Sequence, residues 1–182
     1  MPGARAGDTQ PDCRYKRGMT EALKRRLKQS QFASPTQEAL LSVVVAANAL
    51  NELMDRICED YKITRAQYNV LRILRGAHPS GHPRSEVACR MLDRASDVTR
   101  LVDRLQARQL VRRHRGSEDQ RQALTFITAK GIKLLDNMWP RIEAETSSIL
   151  SRLSENDCRE LSRLCSLIFD LESAEARESN PD

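Results

Sequence analysis

At 182 residues, 40% hydrophobic and 4% aromatic, the chain suffices for one domain with appendages, able to bury roughly 70% of its unfolded surface and hold a core without staples. Five widely spaced cysteines (Cys13, Cys58, Cys89, Cys158, Cys165) with no CxxC exclude a disulfide framework, and the longest apolar stretch, ALLSVVVAANAL at 39–50, is too short to span a bilayer. The net charge of +5 hides a segregation: residues 62–133 hold 16 basic and 6 acidic side chains, 1–33 are also net basic, and 34–61 and 134–182 are net acidic.

A basic module between acidic segments points to a polyanion met by one face. MPGARAGDTQPD lacks the apolar core of a signal peptide, so we expect a reduced, cytoplasmic protein. Residues 1–33 read as a disordered or partly helical basic tail, with a thin apolar face (Leu23, Leu27) in TEALKRRLKQSQF. Ser34, Pro35 and Gln37 then form a capping-box start for a helix to about Asp60. That helix is apolar almost all round and must be covered all round, which argues for a partner subunit over 34–61. Thr64 opens a second helix with Tyr68, Leu71, Ile73 and Leu74 inward and Gly76 as its stop. HPSGHP at 78–83 reads as a loop.

Ser85 is expected to cap a short helix, SEVACRML, and Ser96 to cap the next, whose Val98, Leu101, Val102 and Leu105 follow i, i+3, i+4, i+7. LVRRHRG and QALTFI read as two strands around a GSEDQ turn. Thr128 caps a long helix in which Pro140 should force a kink. Ser154 with Asp157 starts a last helix with one stripe of Cys158, Leu161, Cys165 and Ile168, and the chain turns polar over 173–182.

Two short helices joined by about four residues make a helix-turn-helix candidate, whose second helix enters the major groove. Opposite its apolar stripe that helix presents Ser96, Asp97, Thr99, Arg100, Asp103 and Arg104. Arginine reads guanine bidentately and a hydroxyl reads either partner, while Asp103 is expected to pair with Arg100 or Arg104. A solvated amphipathic helix is the plainer reading of this segment alone. The hairpin decides between them: Arg112, Arg113, His114 and Arg115 lead into the turn, and Asp119 and Arg121 follow. Such a wing can place Arg121 in the narrow minor groove, with Asp119 orienting it, and Arg112, Arg113 and Arg115 on phosphates.

From about 62 to 135 the chain resembles the multiple-antibiotic-resistance-regulator (MarR) family. The resemblance rests on ITRAQYNVLRIL, SEVACRML, SDVTRLVDRLQARQLVRR, DQR at 119–121 and LTFITAKG. It implies a mainly α fold with a small β-hairpin wing, a winged helix-turn-helix over 62–133, and dimerisation helices at 34–61 and 134–172. It further implies a homodimer reading a pseudo-palindromic double-stranded operator, commonly a repressor released by a small molecule. Leu40, Val44, Leu161, Cys165 and Ile168 would then lie in the dimer interface, and Tyr61, Tyr68 and Trp139 would be available to an effector pocket. One departure is Gln109, where the family usually has the glycine that ends the recognition helix, so that turn is expected to be strained or displaced.

Other readings stay open at this point. A thiol-sensing regulator of the same fold would need a reactive cysteine, but Glu59 and Asp60 beside Cys58 would dull its thiol, and Cys158 and Cys165 read as core. A non-specific architectural DNA binder would share the basic face. A helical scaffold or enzyme would need residues that are not grouped here: there is no phosphate loop, nucleophile elbow or HExxH. His78 and His82 do not share a helical face, so neither metal nor cofactor is expected.

Overall fold

The computed structural model describes residues 21–93, 96–115 and 123–178. The chain divides into two units, Met1–Leu53 and Met54–Asp182. In the first, a short helix over 21–27 precedes α1 (Pro35–Asp60), which continues into the second unit. Ser34 Oγ accepts from the Gln37 N–H at 3.1 Å, and Gln37 Oε1 takes the Ala33 N–H at 2.7 Å, one residue earlier than a capping box requires. Leu40, Val43, Val44 and Leu50 of α1 stay exposed, Leu40 by 60%.

In the second unit, α1 buries Ile57 and Cys58 and is terminated by Lys62, two residues past its end, whose φ is 59°. The Ile63 N–H reaches back to the Cys58 carbonyl at 3.0 Å and that of Lys62 to Glu59 at 2.9 Å, a Schellman termination. Helix α2 (Arg65–Gly76) starts with the full capping box of Thr64 and Gln67 and buries Val70, Leu71 and Leu74, with Tyr68 and Ile73 half-buried.

HPSGHP is not wholly a loop. Strand β1 (His82–Pro83) pairs antiparallel with β3 (Ala123–Ile127), which pairs on its other side with β2 (Val111–Arg115), giving a three-stranded sheet in the order β1–β3–β2. Proline is tolerated there because β1 is an edge strand, and two residues are too few to show an alternation. Helix α3 (Arg84–Cys89) follows at once. Pro83, held extended, takes the N-cap position expected of Ser85, which lies within the helix. The helix also ends three residues before the expected Leu92.

Helix α4 (Val98–Ala107) is capped by Asp97, whose Oδ1 accepts from the Arg100 N–H at 3.2 Å, and not by Ser96. A carboxylate caps as well as a hydroxyl and gains from the helix dipole; Ser96 Oγ instead bonds Asp93 Oδ2 at 3.3 Å. Val98, Val102 and Leu105 are buried, Leu101 half-buried. α2 packs on α4, on β3 and on the long helix α5 (Ala129–Leu150).

The end of α4 holds Gln109, where the turn is expected to be strained or displaced. Gln109 has φ 61°, its N–H bonds the Gln106 carbonyl at 2.8 Å, and the Leu110 N–H bonds Leu105 at 3.0 Å. This is a second Schellman termination, sealed by buried Leu105 and Leu110. The helix ends on schedule, with the strain taken by one residue.

Thr128 caps α5 through the Gly131 N–H at 3.1 Å. Gly131 permits the helix start to lie against the hairpin, since a Cβ there would collide with the Leu110 carbonyl and the Ile127 side chain. Pro140 is inside α5, which continues beyond it to Leu150. Helix α6 (Glu155–Glu178) begins with reciprocal bonds between Ser154 and Asp157. Its Leu161, Leu164, Leu167 and Ile168 are exposed, and Cys158 and Cys165 are half-buried. Among the described residues no helix is long and apolar enough to cross a membrane.

An L residue in the left-handed region costs about 1–2 kcal/mol, and glycine gives back about 0.5–1 kcal/mol in folding entropy. Gln109→Gly should therefore stabilise the protein by roughly 0.5–1 kcal/mol, seen as a higher urea midpoint at unchanged slope. A β-branched residue there should lower it.

Candidate nucleic-acid interface

Helix α4 turns its buried stripe to the core, which leaves Arg100 and Arg104 exposed on the other side. Arg100 Nε lies 3.2 Å from Asp97 Oδ2 across one helical turn. Such solvated pairs hold about 0–1 kcal/mol, so this arginine exchanges its carboxylate readily for another anion. Arg104 has no ion-pair partner among the described residues. Thr99 and Ser96 are half-buried beside them.

Asp103 pairs with neither helical arginine. Its Oδ1 takes Arg113 Nη1 of β2 at 2.7 Å, and Arg113 Nη2 is also 3.5 Å from the Thr99 carbonyl. Arg104 is adjacent in sequence and so points away, Arg100 is engaged by Asp97, and the strand brings Arg113 onto the open side of Asp103. A second arginine reaches the helix from α3: Arg84 Nη1 donates to Thr99 Oγ1 at 2.9 Å. Nothing in the sequence marks that contact, because only the fold brings the start of α3 to α4.

Strand alternation divides the wing arginines. Val111 and Arg113 share the sheet face of their cross-strand partners Ile127 and Thr125, both buried. Arg112 and His114 lie on the other face, where the Arg112 guanidinium sits 4.4 Å above the Phe126 ring centre. Arg115 ends β2; its side chain, and the expected wing tip with Asp119 and Arg121, lie outside the described residues.

The far end of α4 is clasped by polar bonds. Arg108 donates to the carbonyls of Lys62 and Tyr61 at the end of α1, and Lys130 Nζ donates to the Arg108 carbonyl at 2.9 Å. Between α2 and α5 lies a groove of about 400 Å³ lined by Tyr68, Arg72, Arg75, Leu135, Asp136 and Trp139. Arg75 pairs with Asp136 at 2.8 Å, whereas Arg72 has no ion-pair partner among the described residues. Burial pushes the Tyr68 phenol up, against the opposing pull of Arg72, so it stays a neutral hydrogen-bonding group there. Trp139 is 56% exposed, its ring available to a ligand. Tyr61 is not in this groove; its hydroxyl donates to the Asn137 carbonyl at 2.8 Å.

Cys58 is fully buried, and burial, reinforced by Asp55 and opposed by Arg65, pushes its thiol up to about 11. The carboxylate acting on it is Asp55 and not Glu59 or Asp60. Cys89 is exposed.

Comparison with known proteins places this geometry. The MarR family model matches residues 63–123. A MarR transcription factor from Planctomyces limnophilus is 34% identical in its crystal structure, covering 75% of this chain and 99% of its own, with a TM-score of 0.58. The chain belongs to the MarR family. It is a MarR-family transcription regulator with a winged-helix fold. The HTH-type transcriptional regulator MhqR of Bacillus subtilis (strain 168) is 27% identical over 125 residues, covering 67% of this chain and 85% of that one. S. aureus MepR in its DNA complex shares the fold at 20% identity and a TM-score of 0.64, over 70% of this chain and 93% of that one. The matched MarR segment runs from the start of α2 to the start of β3, so the groove combines one MarR-matched helix, α2, with α5 outside it.

For this MarR-family chain, alkylation should separate the cysteines. Iodoacetamide at pH 8 should modify Cys89 in the native protein and leave Cys58 untouched until urea unfolds it, as peptide mass mapping would read. Because the native state binds the Cys58 proton more tightly than the unfolded chain, this thiol's contribution to stability should fall as pH rises from 9.0 towards about 11.

Proposed function

We propose that this regulator is a homodimer that binds a pseudo-palindromic duplex DNA site, represses transcription there, and is released by a small molecule held in the α2–α5 groove. The single observation that carries DNA binding is the exposed pair Arg100 and Arg104 on α4, with Arg113 clamped beside them by Asp103. In this reading Ser96, Thr99, Arg100 and Arg104 face the major groove. Asp97 serves by capping the helix that carries them. Arg112, Arg113 and Arg115 meet phosphates on the two faces of the wing, and Arg121, oriented by Asp119, enters the minor groove. The DNA complex of S. aureus MepR, which has the same fold, supports this use of the scaffold.

The dimer reading is supported by apolar side chains that a single chain leaves in water: Leu40 and Val44 on α1, and Leu161 and Ile168 on α6, where Cys165 is half-buried. Covering such surface contributes about 25 cal/mol per Å², and α1 and α6 carry it in long stripes.

DNA binding is tested by selecting sites from a randomised duplex pool and measuring fluorescence anisotropy over a range of salt. The selected duplex should bind ~10³-fold or more above a scrambled one, with a steep salt slope near −0.9 per neutralised phosphate. Arg104→Ala should cost about 1–3 kcal/mol on the selected site. Equal binding to both duplexes would make the protein architectural, and no binding to either would remove DNA from the account.

The groove sets the chemistry of the released state. Trp139 offers a flat apolar wall, Tyr68 a hydroxyl, and Arg72 a positive charge with no ion-pair partner among the described residues, which together suit an aromatic anion. A ligand releases DNA only if it binds the non-binding conformation better. Benzoate and hydroxybenzoates should therefore lower DNA affinity of the wild type. Arg72→Ala should raise the concentration needed by roughly tenfold, the loss of one charge-assisted hydrogen bond, while leaving DNA affinity without ligand unchanged. No release by any of these acids would remove the anion from the proposal.

A further inference from the structure

Arg84 has no part in the reading above, yet it is the side chain that reaches a base-facing position of α4 from another element. It is the first residue of α3, exposed, and its Nη1 donates to Thr99 Oγ1 at 2.9 Å. Arg113, anchored by Asp103, lies at the carbonyl of the same threonine. Thr99 is thus held between two guanidinium groups, one on its hydroxyl and one on its backbone.

A threonine hydroxyl has one hydrogen to give and two lone pairs to receive. Left free it rotates and reads a donor or an acceptor on a base equally well. A guanidinium has only donors, so the bond from Arg84 occupies a lone pair and turns the hydroxyl hydrogen away from α3. The adjacent positive charge also polarises the O–H, which makes it a better donor. In solvent the contact is weak; once a duplex excludes water around it, it strengthens.

We propose that Arg84 is a specificity-positioning residue, which fixes the Thr99 hydroxyl as a hydrogen-bond donor to DNA. Thr99 then favours an acceptor edge, a purine N7 or the exocyclic oxygen of guanine or thymine, over the amino edge of cytosine, for which one lone pair beside a positive charge is left. The inference rests on α4 being the recognition helix.

The test uses the full-length chain and duplexes selected from a randomised pool by the wild type, together with every single-base variant of the selected site. Arg84→Met, Arg84→Lys, Thr99→Val, Arg84→Met with Thr99→Val, and Arg104→Ala are compared by anisotropy, with circular dichroism to verify folding. Arg84→Met and Thr99→Val should each flatten discrimination at one shared base-pair position by roughly 3- to 10-fold, the range of one hydrogen bond. The double variant should lose no more than either single one, and Arg84→Lys, which still donates, should keep part of the preference.

Equal weakening on all duplexes in Arg84→Met, with the salt slope reduced by about 0.9, makes Arg84 a phosphate contact and overturns the proposal. Unchanged discrimination in Arg84→Met overturns it as well. Failure of the underlying reading looks different. The wild type then selects no site, or Thr99→Val and Arg104→Ala leave every base preference intact, and both the recognition helix and the role of Arg84 fall together.

Discussion

The chain's geometry hangs on the turn that ends α4. Leu105 and Leu110 close over the helix terminus in the core, Gln109 takes the left-handed turn between them, and the Thr128 hydroxyl donates to the carbonyls of Gln109 and Leu110 just beyond the helix. The Thr128 N–H also bonds the Leu110 carbonyl at 3.1 Å. One hydroxyl residue thereby fixes where the helix stops, where β2 begins and where α5 starts, since the same side chain caps α5. A helix terminus has four carbonyls with no partner in the helix, and leaving them bare inside a core costs about 1–3 kcal/mol each. The Schellman turn satisfies two of them, the carbonyls of Leu105 and Gln106, which offsets the strain at Gln109. The register of the wing against α4, and with it the Asp103–Arg113 pair, follows from that knot.

The arginines that give residues 62–133 their charge are not one population. Arg113, Arg84 and Arg108 are committed to carbonyls, a hydroxyl or a carboxylate within the fold and set the pose of α4. Arg112 rests on Phe126 and stiffens the outer face of the wing. Arg104 is unpaired among the described residues, and Arg100 is loosely held by its own cap. Individual surface pairs contribute little, typically ~0–1 kcal/mol, so their worth lies in aim more than in stability. A basic face built only from free arginines would attract polyanions without orienting them; the committed ones supply the orientation.

What was legible from the sequence was local. The starts at Ser34, Thr64, Thr128 and Ser154 stand as read because a cap is a contact over three residues. The apolar stripe of α4 and the pairing of β2 with β3 are likewise short-range patterns. Two caps shifted, at Pro83 and Asp97, because a neighbouring residue competed for the same N–H groups or because a strand held the chain extended. Strand β1, the Arg84–Thr99 bond and the Asp103–Arg113 pair were not legible, as each joins residues that only the tertiary fold makes neighbours. Gln109 shows the opposite case: the sequence flags the strain, and the structure shows the backbone accepting it without moving the helix end.

The same packing couples the groove to α4. Helix α2 has two working faces: Tyr68, Arg72 and Arg75 line the groove, while Val70, Leu71 and Leu74 lie in the core where α2 packs on α4. Interiors packed at crystal-like density do not absorb displacement by compression, so a ligand that separates α2 from α5 moves α4 with α2. On the α5 side Arg75 grips Asp136, and two turns earlier Lys130 grips the Arg108 carbonyl at the end of α4. In the proposed release, an anion in the groove would compete with Asp136 for Arg75, loosening the first of these grips while the second remains. Helix α4 would then pivot about its clasped C-terminal end, and its N-terminal turn, with Thr99 and Arg100, would travel furthest. With α4 as the recognition helix, as proposed, that is the end whose displacement would change base contacts most.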